Sequence, residues 1–345
     1  MLVRRRRAQL PFPLSDSRCR IYLRARHGLW QALRAHDLQP GDEVLVPEFH
    51  HGSEVEALLR AGLQVLFYRC DDALEPSLEH LTSLLGKRVR VLYLIHYLGF
   101  PQDAARWRRW ADEHGLLLIE DAAQAWLAER DGAPSGSVGD VAIFCLYKTL
   151  GLADGGAVIS TRPIAPAAGQ RPLGLRSLQT GAERWLRQRL DVVRMLGRFS
   201  YKPFDPERDP LELGDPTAPH SRAAEFVIAR QADTMVAAAR RANYRYLLRE
   251  LPDLVAPAFA QLPEGASPLQ YPIDVDDKNG VLARLAGAGV ECANVWSRPH
   301  PLAATDESAA TRALRSRLVG LPVHQGLGEA DLARIVRATR AAVTA

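Results

Sequence analysis

The sequence contains few cysteines, and their positions argue against two kinds of cross-linked architecture. Among 345 residues there are four, Cys19, Cys70, Cys145 and Cys292. They are widely scattered and none is paired at the spacing of a zinc site or a disulfide framework. Unpaired cysteines suit a reducing compartment, so we expect a cytoplasmic location.

Long apolar runs and a strong charge excess are also missing. No stretch approaches the roughly twenty apolar residues of a membrane span, so we expect no integral membrane segment. The net charge of +4 is too small to indicate nucleic-acid binding, although it is compatible with anionic ligands. The basic cluster from Arg4 to Arg7 is followed by Pro11 and Pro13, so we interpret it as a solvated tail and expect no export signal.

The composition, with 47% hydrophobic and 24% charged residues, is that of an ordinary globular protein long enough for two structural units. Its first half alternates between two periodicities. Strands are predicted at 43–46, 64–68, 89–95 and 116–119, with helices at 27–36, 53–61 and 104–114. Such repetition favours a mostly parallel sheet covered on both faces. The strands at 141–146 and 157–160 have no helix between them, which predicts an antiparallel pair.

The second half begins with a change in composition. A Pro-rich stretch at 163–172 precedes a basic amphipathic helix at 182–199 and a Pro-rich loop at 203–219. One long helix is predicted at 222–251, followed by strands at 270–275 and 290–295 and helices at 279–288 and 329–343. We therefore expect a tail at 1–20, a large domain at 21–240 with a divergent insert or lid at 162–219, and a small domain at 241–345.

A carboxylate and a lysine follow two of the predicted strands. One apolar strand ends at Glu120 and Asp121, and the next runs into Lys148. Because ligands bind at the carboxyl ends of parallel strands, both side chains are expected in one crevice. Pyridoxal phosphate needs such a pair, since a lysine amine holds its aldehyde and a carboxylate keeps its pyridine nitrogen protonated. A salt bridge at the rim of the sheet would explain the pair alone equally well.

An ordered series of motifs surrounds this pair. The series comprises Glu120 to Gln124, Gly136 to Asp140, Ile143 to Leu146, Lys148, and Asp154 to Gly156; Pro40 to Pro47, His96 to Pro101 and Leu321 to Leu327 extend it in both directions. It resembles the DegT/DnrJ/EryC1/StrS aminotransferases, the sugar-aminotransferase branch of the fold type I pyridoxal-phosphate enzymes. The resemblance runs from about residue 21 to the end and is weakest at 162–219. It implies an α/β fold in which a large domain, with a mostly parallel mixed sheet flanked by helices, carries a small C-terminal α/β domain.

The resemblance assigns roles to three residues around the cofactor ring. Lys148 would be the Schiff-base lysine and the general acid/base, and Asp121 the partner of the pyridine nitrogen. Gln124 would lie beside the ring hydroxyl. His51 stands where relatives carry an aromatic residue that stacks on the ring, and imidazole can stack as well.

The phosphate end departs from the family pattern. The Ser-Gly-Thr loop that opens the family's first helix corresponds to 24–27, where Arg26 and His27 stand instead. Backbone amides at a helix start still bind phosphate, and Arg26 would add a charged contact. Cys145 replaces a phosphate-holding serine. His220 matches an asparagine that reaches the neighbouring subunit's phosphate, although a surface turn is an equally good interpretation.

A metal site is not expected. His50 and His51 are adjacent, so on a strand they point to opposite faces, and no cysteine or acid completes a ligand set.

The resemblance implies an aminotransferase that acts on a keto sugar, nucleotide-linked, with an amino acid such as glutamate as donor, in a homodimer. One alternative is the family's dehydratase branch, whose members generally carry histidine in place of the lysine, so Lys148 argues against it. Another is a non-catalytic relative that binds a sugar nucleotide or regulates. We expect the specificity for the acceptor to lie within 162–219.

Overall fold

A computed structural model describes residues 9–167, 169, 211–305 and 307–344. The predicted helix at 182–199 and most of the predicted insert at 162–219 lie outside these residues. Within the described part, no helix is long and apolar enough to cross a membrane.

A seven-stranded mixed sheet forms the centre of the molecule. In the order β1-β9-β8-β5-β4-β2-β3 its strands are β1 Arg20–Tyr22, β9 Gly156–Ser160, β8 Val141–Cys145, β5 Leu117–Asp121, β4 Val89–Ile95, β2 Glu43–Pro47 and β3 Gln64–Tyr68. The strands β3, β2, β4, β5 and β8 are parallel, whereas β9 is antiparallel to β8 and β1 is antiparallel to β9. The central strands are almost wholly apolar because helices cover both faces of the sheet. The predicted mostly parallel sheet and its antiparallel pair are confirmed. A two-stranded ribbon, β6 Glu129–Arg130 and β7 Ala133–Pro134, lies apart from the sheet.

Five helices accompany the sheet: α1 Ala25–Ala35, α2 Ser53–Arg60, α3 Leu78–Leu84, α4 Ala104–Glu113 and α5 Leu146–Leu150. The start of α1 lies directly against β9. A Cβ on Gly28 would be 2.2 Å from Val158, and one on Gly156 would be 2.1 Å from the backbone nitrogen of Ala25. Only glycine permits this approach, which brings the first turn of α1 to the end of the sheet that carries the predicted site.

A smaller unit packs beside the sheet. Its three antiparallel strands run in the order β10-β12-β11, with β10 Gln270–Asp274, β11 Ala293–Asn294 and β12 Leu318–Pro322. The helices α8 Lys278–Gly287, α9 Ala309–Arg317 and α10 Glu329–Thr344 accompany them. A separate apolar cluster that includes Tyr271, Leu285 and Ile335 forms its core. The predicted strand at 290–295 is reduced to the two residues of β11.

The single helix predicted at 222–251 is wrong. The structure has two helices, α6 Arg222–Gln231 and α7 Met235–Glu250. Ala232 adopts extended backbone angles, with ψ at 107°, and Asp233 accepts a hydrogen bond from the backbone N–H of Met235 at 3.0 Å. This local hydrogen bond of a short acidic side chain, just before the next helix, interrupts an otherwise continuous apolar pattern.

The structure can be compared with the predicted domain limits at two places, the 240/241 boundary and the tail at 1–20. The boundary between residues 240 and 241 falls inside α7, whose Tyr244 and Leu247 belong to the small unit's core. Near the beginning, Leu10, Phe12 and Leu14 pack against an apolar cluster, and the carbonyl of Phe12 accepts a hydrogen bond from the Trp126 indole. The limits themselves stay a prediction.

Candidate active site

A cavity of about 730 Å³ lies between the carboxyl ends of the sheet strands and the small unit. Six of the eight residues predicted from the sequence line it, namely Arg26, His51, Asp121, Gln124, Cys145 and Lys148. His27 and His220 are not among its lining residues. The structure thus brings together the expected ring, lysine and phosphate positions in one place.

Asp121 is the last residue of β5, and its carboxylate is held on both oxygens. Tyr93 donates its hydroxyl to Oδ2 at 2.7 Å, and the backbone N–H of Ala123 donates to Oδ1 at 2.8 Å. Burial, reinforced by the nearby Glu54 carboxylate, raises the pKa of Asp121 to about 6, while Lys148 acts in the opposite direction. A cation placed at this carboxylate would favour its charged form.

Lys148 lies on the short helix α5, which directly follows β8. The strand β8 ends at Cys145, one residue earlier than predicted, and Leu146 begins the short helix. The backbone N–H of Leu146 donates to the carbonyl of Gly155 at 3.1 Å, so the glycine turn before β9 supports this helix. Parallel pairing of β5 with β8 places Asp121 opposite Ile143, which brings the ends of both strands to one edge.

Two arginines at the start of α1, its N-cap Arg24 and Arg26, line the cavity. Arg24 donates to the carbonyl of Ala153 at 3.1 Å and its guanidinium lies 5.0 Å from the ring centre of Tyr147. In contrast, Nε of Arg26 is buried with no hydrogen-bond partner among the described residues. A buried donor without a partner at a helix start suits an anionic ligand such as a phosphate.

The other residues predicted near the cofactor occupy distinct surroundings. His51 follows β2 and its Nδ1 lies 3.2 Å from the Ser53 hydroxyl. Gln124 accepts a hydrogen bond from the backbone N–H of Leu98 at 2.9 Å, which fixes its side-chain oxygen. Burial raises the pKa of the Cys145 thiol, so this group stays protonated and is only a weak donor.

His27 and His220 point elsewhere in this single chain. Nε2 of His27 lies 2.9 Å from the carbonyl of Leu213, and Nε2 of His220 lies 3.0 Å from the Glu225 carboxylate. His220 precedes α6, whose N-cap Ser221 donates to the Asp154 carboxylate in the segment between α5 and β9. Their predicted contacts with the cofactor stay predictions.

Two buried charged residues of the cavity were not found from the sequence. Glu54 is buried in the first turn of α2 and accepts a hydrogen bond from the backbone N–H of His51 at 2.9 Å. Arg240 is buried within α7. An acid at a helix start indicates a cap, and an arginine in a helical pattern indicates a solvated face, so neither pattern distinguishes these residues.

The residues present fit pyridoxal phosphate. The pKa of the buried Asp121 carboxylate is raised, and a protonated pyridine nitrogen would supply the positive charge that favours its charged form. The unpartnered Nε of Arg26 suits the phosphate. Lys148 supplies the amine that the aldehyde requires. Within the described ranges, no group of three or more His, Cys, Asp or Glu side chains is arranged to hold a metal ion.

Comparison with known proteins agrees with this geometry. Residues 24–168 match the model of the DegT/DnrJ/EryC1/StrS aminotransferase family. The chain is 37% identical over 136 residues to a UDP-N-acetyl-3-dehydro-alpha-D-glucosamine 3-aminotransferase of Acidithiobacillus ferrooxidans, an alignment covering 38% of this chain and 37% of that protein. It is 36% identical over 142 residues to a dTDP-3-amino-3,4,6-trideoxy-alpha-D-glucose transaminase of Streptomyces venezuelae, covering 38% and 36% respectively. The matched segment thus spans little more than a third of these relatives.

The fold is shared over nearly the whole chain. The crystal structure of the aminotransferase TlmJ from Streptoalloteichus hindustanus superposes with a TM-score of 0.68 at 22% identity, covering 95% of this chain and 86% of that one. This likeness confirms the predicted fold type I architecture. The segment that carries Asp121 and Lys148 is therefore similar to the DegT/DnrJ/EryC1/StrS aminotransferase family, and the fold agrees beyond that segment.

Proposed function

We propose that the protein is a pyridoxal-phosphate-dependent aminotransferase that transfers an amino group from an amino acid such as glutamate to a keto sugar, nucleotide-linked. The observation that carries this proposal is the convergence of Asp121 and Lys148, from the ends of neighbouring strands, on one cavity. A rim salt bridge needs no cavity, whereas a cofactor does.

The chemistry divides between the cofactor and the chain. When bound, pyridoxal phosphate supplies an electron sink for the carbon that loses a proton. Lys148 would hold the cofactor covalently and, once released, carry the proton from the donor's α-carbon as the general acid/base. Asp121, fixed by Tyr93 and Ala123, would keep the pyridine nitrogen protonated.

The remaining residues would bind and orient the cofactor. The start of α1 and Arg26 would hold the phosphate, His51 would pack on the ring and Gln124 would lie beside the ring hydroxyl. The Cys145 thiol would make a weaker contact to the phosphate than the family's usual serine.

The substrate class follows from the relatives. Both relatives above are named for amino sugars carried on a nucleotide. The cavity volume of about 730 Å³ is within the usual range for small-molecule sites. We therefore propose a nucleotide-linked keto sugar as the acceptor and a cytoplasmic location.

We also propose a homodimer. Phe226 on α6 and Met235 on α7 are exposed, by 44% and 67% of their surfaces. Large exposed apolar side chains on neighbouring helices are consistent with an interface. His220, just before α6, would then be close to the neighbouring subunit, as its predicted role requires. A fully active sample that sediments as a monomer would contradict the dimer.

Borohydride reduction of the cofactor-loaded protein tests the central assignment. We expect mass spectrometry to place a single cofactor adduct on Lys148. The Lys148→Ala variant should lose the adduct, and its turnover should fall by at least ~10²–10⁴-fold. Lys87→Ala is the matched control because Lys87 is exposed and lies outside the cavity.

The two alternatives give different results in the same experiment. A non-catalytic binding protein would stay colourless and would ignore added cofactor. A dehydratase would release a deoxygenated sugar rather than an amino sugar from a keto-sugar substrate. An adduct on Lys87, Lys202 or Lys278 in place of Lys148 would refute the assignment.

A further inference from the structure

Arg240 is a buried cation in the wall of the cavity. Its side chain lies on α7 and the residue is 2% exposed. Its guanidinium makes three hydrogen bonds, to the side-chain oxygen of Gln325 at 3.0 Å and to the carbonyls of Pro268 and Thr149 at 3.1 Å each. All three acceptors are neutral.

Arg240 has no carboxylate partner among the residues that the structure describes. Burial lowers the pKa of its guanidinium to about 10, so the group is still charged at neutral pH. A charge that is buried loses its favourable free energy of hydration, and hydrogen bonds to neutral oxygens offset only part of that loss. Arg315 is equally buried, but its charge is paired with the buried carboxylate of Glu307.

The guanidinium also has N–H groups to spare. It carries five N–H donors, of which the three hydrogen bonds use three. One further N–H therefore remains on each of Nη1 and Nη2. Two such donors on one planar group match the two oxygens of a carboxylate or of a phosphate.

The position of Arg240 separates it from the predicted phosphate site at Arg26. Arg26 lies in the first turn of α1, whereas Arg240 contacts Pro268 and Gln325, which flank β10 and β12 of the small unit. Its third partner, Thr149, is adjacent to Lys148. An anion at Arg240 would therefore lie next to the helix of the proposed catalytic lysine and away from α1.

Two carboxamides of the same wall also lack partners. Oε1 of Gln270 and Oδ1 of Asn294 are buried without a hydrogen-bond partner in the described part of the chain, and both residues line the cavity. Such oxygens require donors such as hydroxyl or amino groups. The wall therefore suits a polar ligand that carries both an oxyanion and hydrogen-bond donors.

We propose that Arg240 is a substrate-binding residue whose guanidinium takes an oxyanion of the substrate, either the carboxylate of the amino donor or a phosphate of the acceptor. The proposal rests on the proposed function, which it deepens by locating where a substrate anion binds. The ligand supplies the counter-charge that Arg240 lacks.

Calorimetric titration of the cofactor-loaded full chain with two unreactive probes tests the proposal. Glutarate offers carboxylates and UDP offers phosphates, and neither can react at Lys148. We expect Arg240→Met to weaken binding of one probe ~10–100-fold, the loss of a charged hydrogen-bonding group, and Arg240→Lys to weaken it less. The probe whose affinity falls more identifies the substrate that supplies the oxyanion. A larger loss for glutarate indicates the amino donor, and a larger loss for UDP indicates the acceptor.

Arg241→Met is the matched control. Arg241 is the next residue on α7, donates to the carbonyl of Ala266 at 2.9 Å and does not line the cavity. Binding of both probes should be unchanged in this variant. Thermal melting of each variant shows that it is folded, and Arg240→Lys keeps the test available where Arg240→Met does not fold.

Three outcomes would overturn the proposal. The first is that neither probe binds the unchanged protein. The second is that Arg240→Met and Arg241→Met lose affinity equally. The third is that Arg240→Met weakens binding of the cofactor but of neither probe, which would assign Arg240 to the cofactor's own phosphate. Because neither probe reacts, these outcomes are independent of whether the chain transaminates.

Discussion

Asp121 gives the site a pH dependence that is measurable without substrate. Its pKa is raised from 3.8 to about 6, chiefly by burial and then by Glu54. The folded protein therefore holds a proton that the unfolded chain releases at about pH 4. In the cofactor-free protein the free energy of unfolding should fall by about 3 kcal/mol as the pH rises from about 4 to about 6, and this contribution should stay constant above that.

The Asp121→Asn variant isolates this effect because it cannot titrate. Urea denaturation at pH 4.5 and pH 7 should show the variant gaining stability relative to the unchanged protein as the pH rises. Glu54→Gln should move the window toward lower pH, since it removes the neighbouring carboxylate charge. Parallel pH profiles for the unchanged protein and Asp121→Asn would show that Asp121 titrates as it does in the unfolded chain.

Arg26 should contribute directly to cofactor retention. Its unpartnered Nε lies at the start of α1, where the phosphate is proposed to bind. Arg26→Ala should raise the cofactor's dissociation constant ~10–100-fold, as expected for one hydrogen bond to a charged group. Fluorescence titration measures this change.

A matched arginine on the same helix serves as the control. Arg34 lies in the last turn of α1, with its guanidinium 4.7 Å from the ring centre of Trp30. Cofactor affinity should be unchanged in Arg34→Ala. Equal affinities for all three proteins would mean that backbone amides alone hold the phosphate.

Site residues differ in how far the sequence reveals them. Asp121 and Lys148 each follow an apolar strand, so local pattern and the binding rule for parallel sheets place them together. Arg240 and Glu54 approach the cavity only through the packing of helices that are distant in sequence. No local pattern records such packing, and a charge on a helix has the same appearance whether it faces solvent or a cavity.

Among the contacts between elements, the close approach of α1 to β9 should be the most sensitive to substitution. Alanine at Gly156 would place Cβ 2.1 Å from the nitrogen of Ala25 and 2.3 Å from the carbonyl carbon of Arg24, and backbone atoms cannot rotate away. We expect Gly156→Ala to lower the free energy of unfolding by ~1–3 kcal/mol and to weaken cofactor binding, because the start of α1 must move. Denaturation and cofactor titration measure the two effects.

Gly287→Ala provides the contrasting substitution within a helix. Nothing lies within 4 Å of a Cβ at this position, which belongs to α8. Alanine should stabilise the protein by up to about 1 kcal/mol because it favours the helical conformation. If Gly156→Ala were as harmless as this control, the close approach of α1 would not be needed.

Elements with strong periodicity were predicted well, and those set by single local hydrogen bonds were not. The strands at 64–68 and 89–95 match β3 and β4 residue for residue. The break between α6 and α7 depends on one aspartate, and α5 depends on its support by the Gly155 turn. Hydrophobic periodicity is insensitive to such local hydrogen bonds.

At the scale of the whole molecule, one arginine joins the small unit to the edge of the cavity. Arg315 on α9 donates to the carbonyls of His50 at 2.9 Å, Glu48 at 2.7 Å and Trp296 at 2.8 Å, in addition to its pairing with Glu307. We call this set of contacts the clasp. It fixes the segment that immediately precedes His51.

Breaking the clasp should lower the free energy of unfolding more than breaking an exposed ion pair does. Arg315→Met leaves Glu307 buried without its partner, so we expect a loss of ~3–5 kcal/mol in urea denaturation. The double variant Glu307→Gln with Arg315→Met should recover part of that loss. Arg317→Met, at the exposed end of the same helix, should cost no more than about 1 kcal/mol. Similar losses for Arg315→Met and Arg317→Met would contradict the clasp.

The clasp also restricts the movement of the small unit relative to the sheet. Close to it, Glu48 accepts a hydrogen bond from the backbone N–H of Ser308 at 3.0 Å, and Glu56 lies 2.9 Å from His300. A hinge opening of the small unit would have to break these contacts and those of Arg315 together. The two units are therefore expected to move as one body.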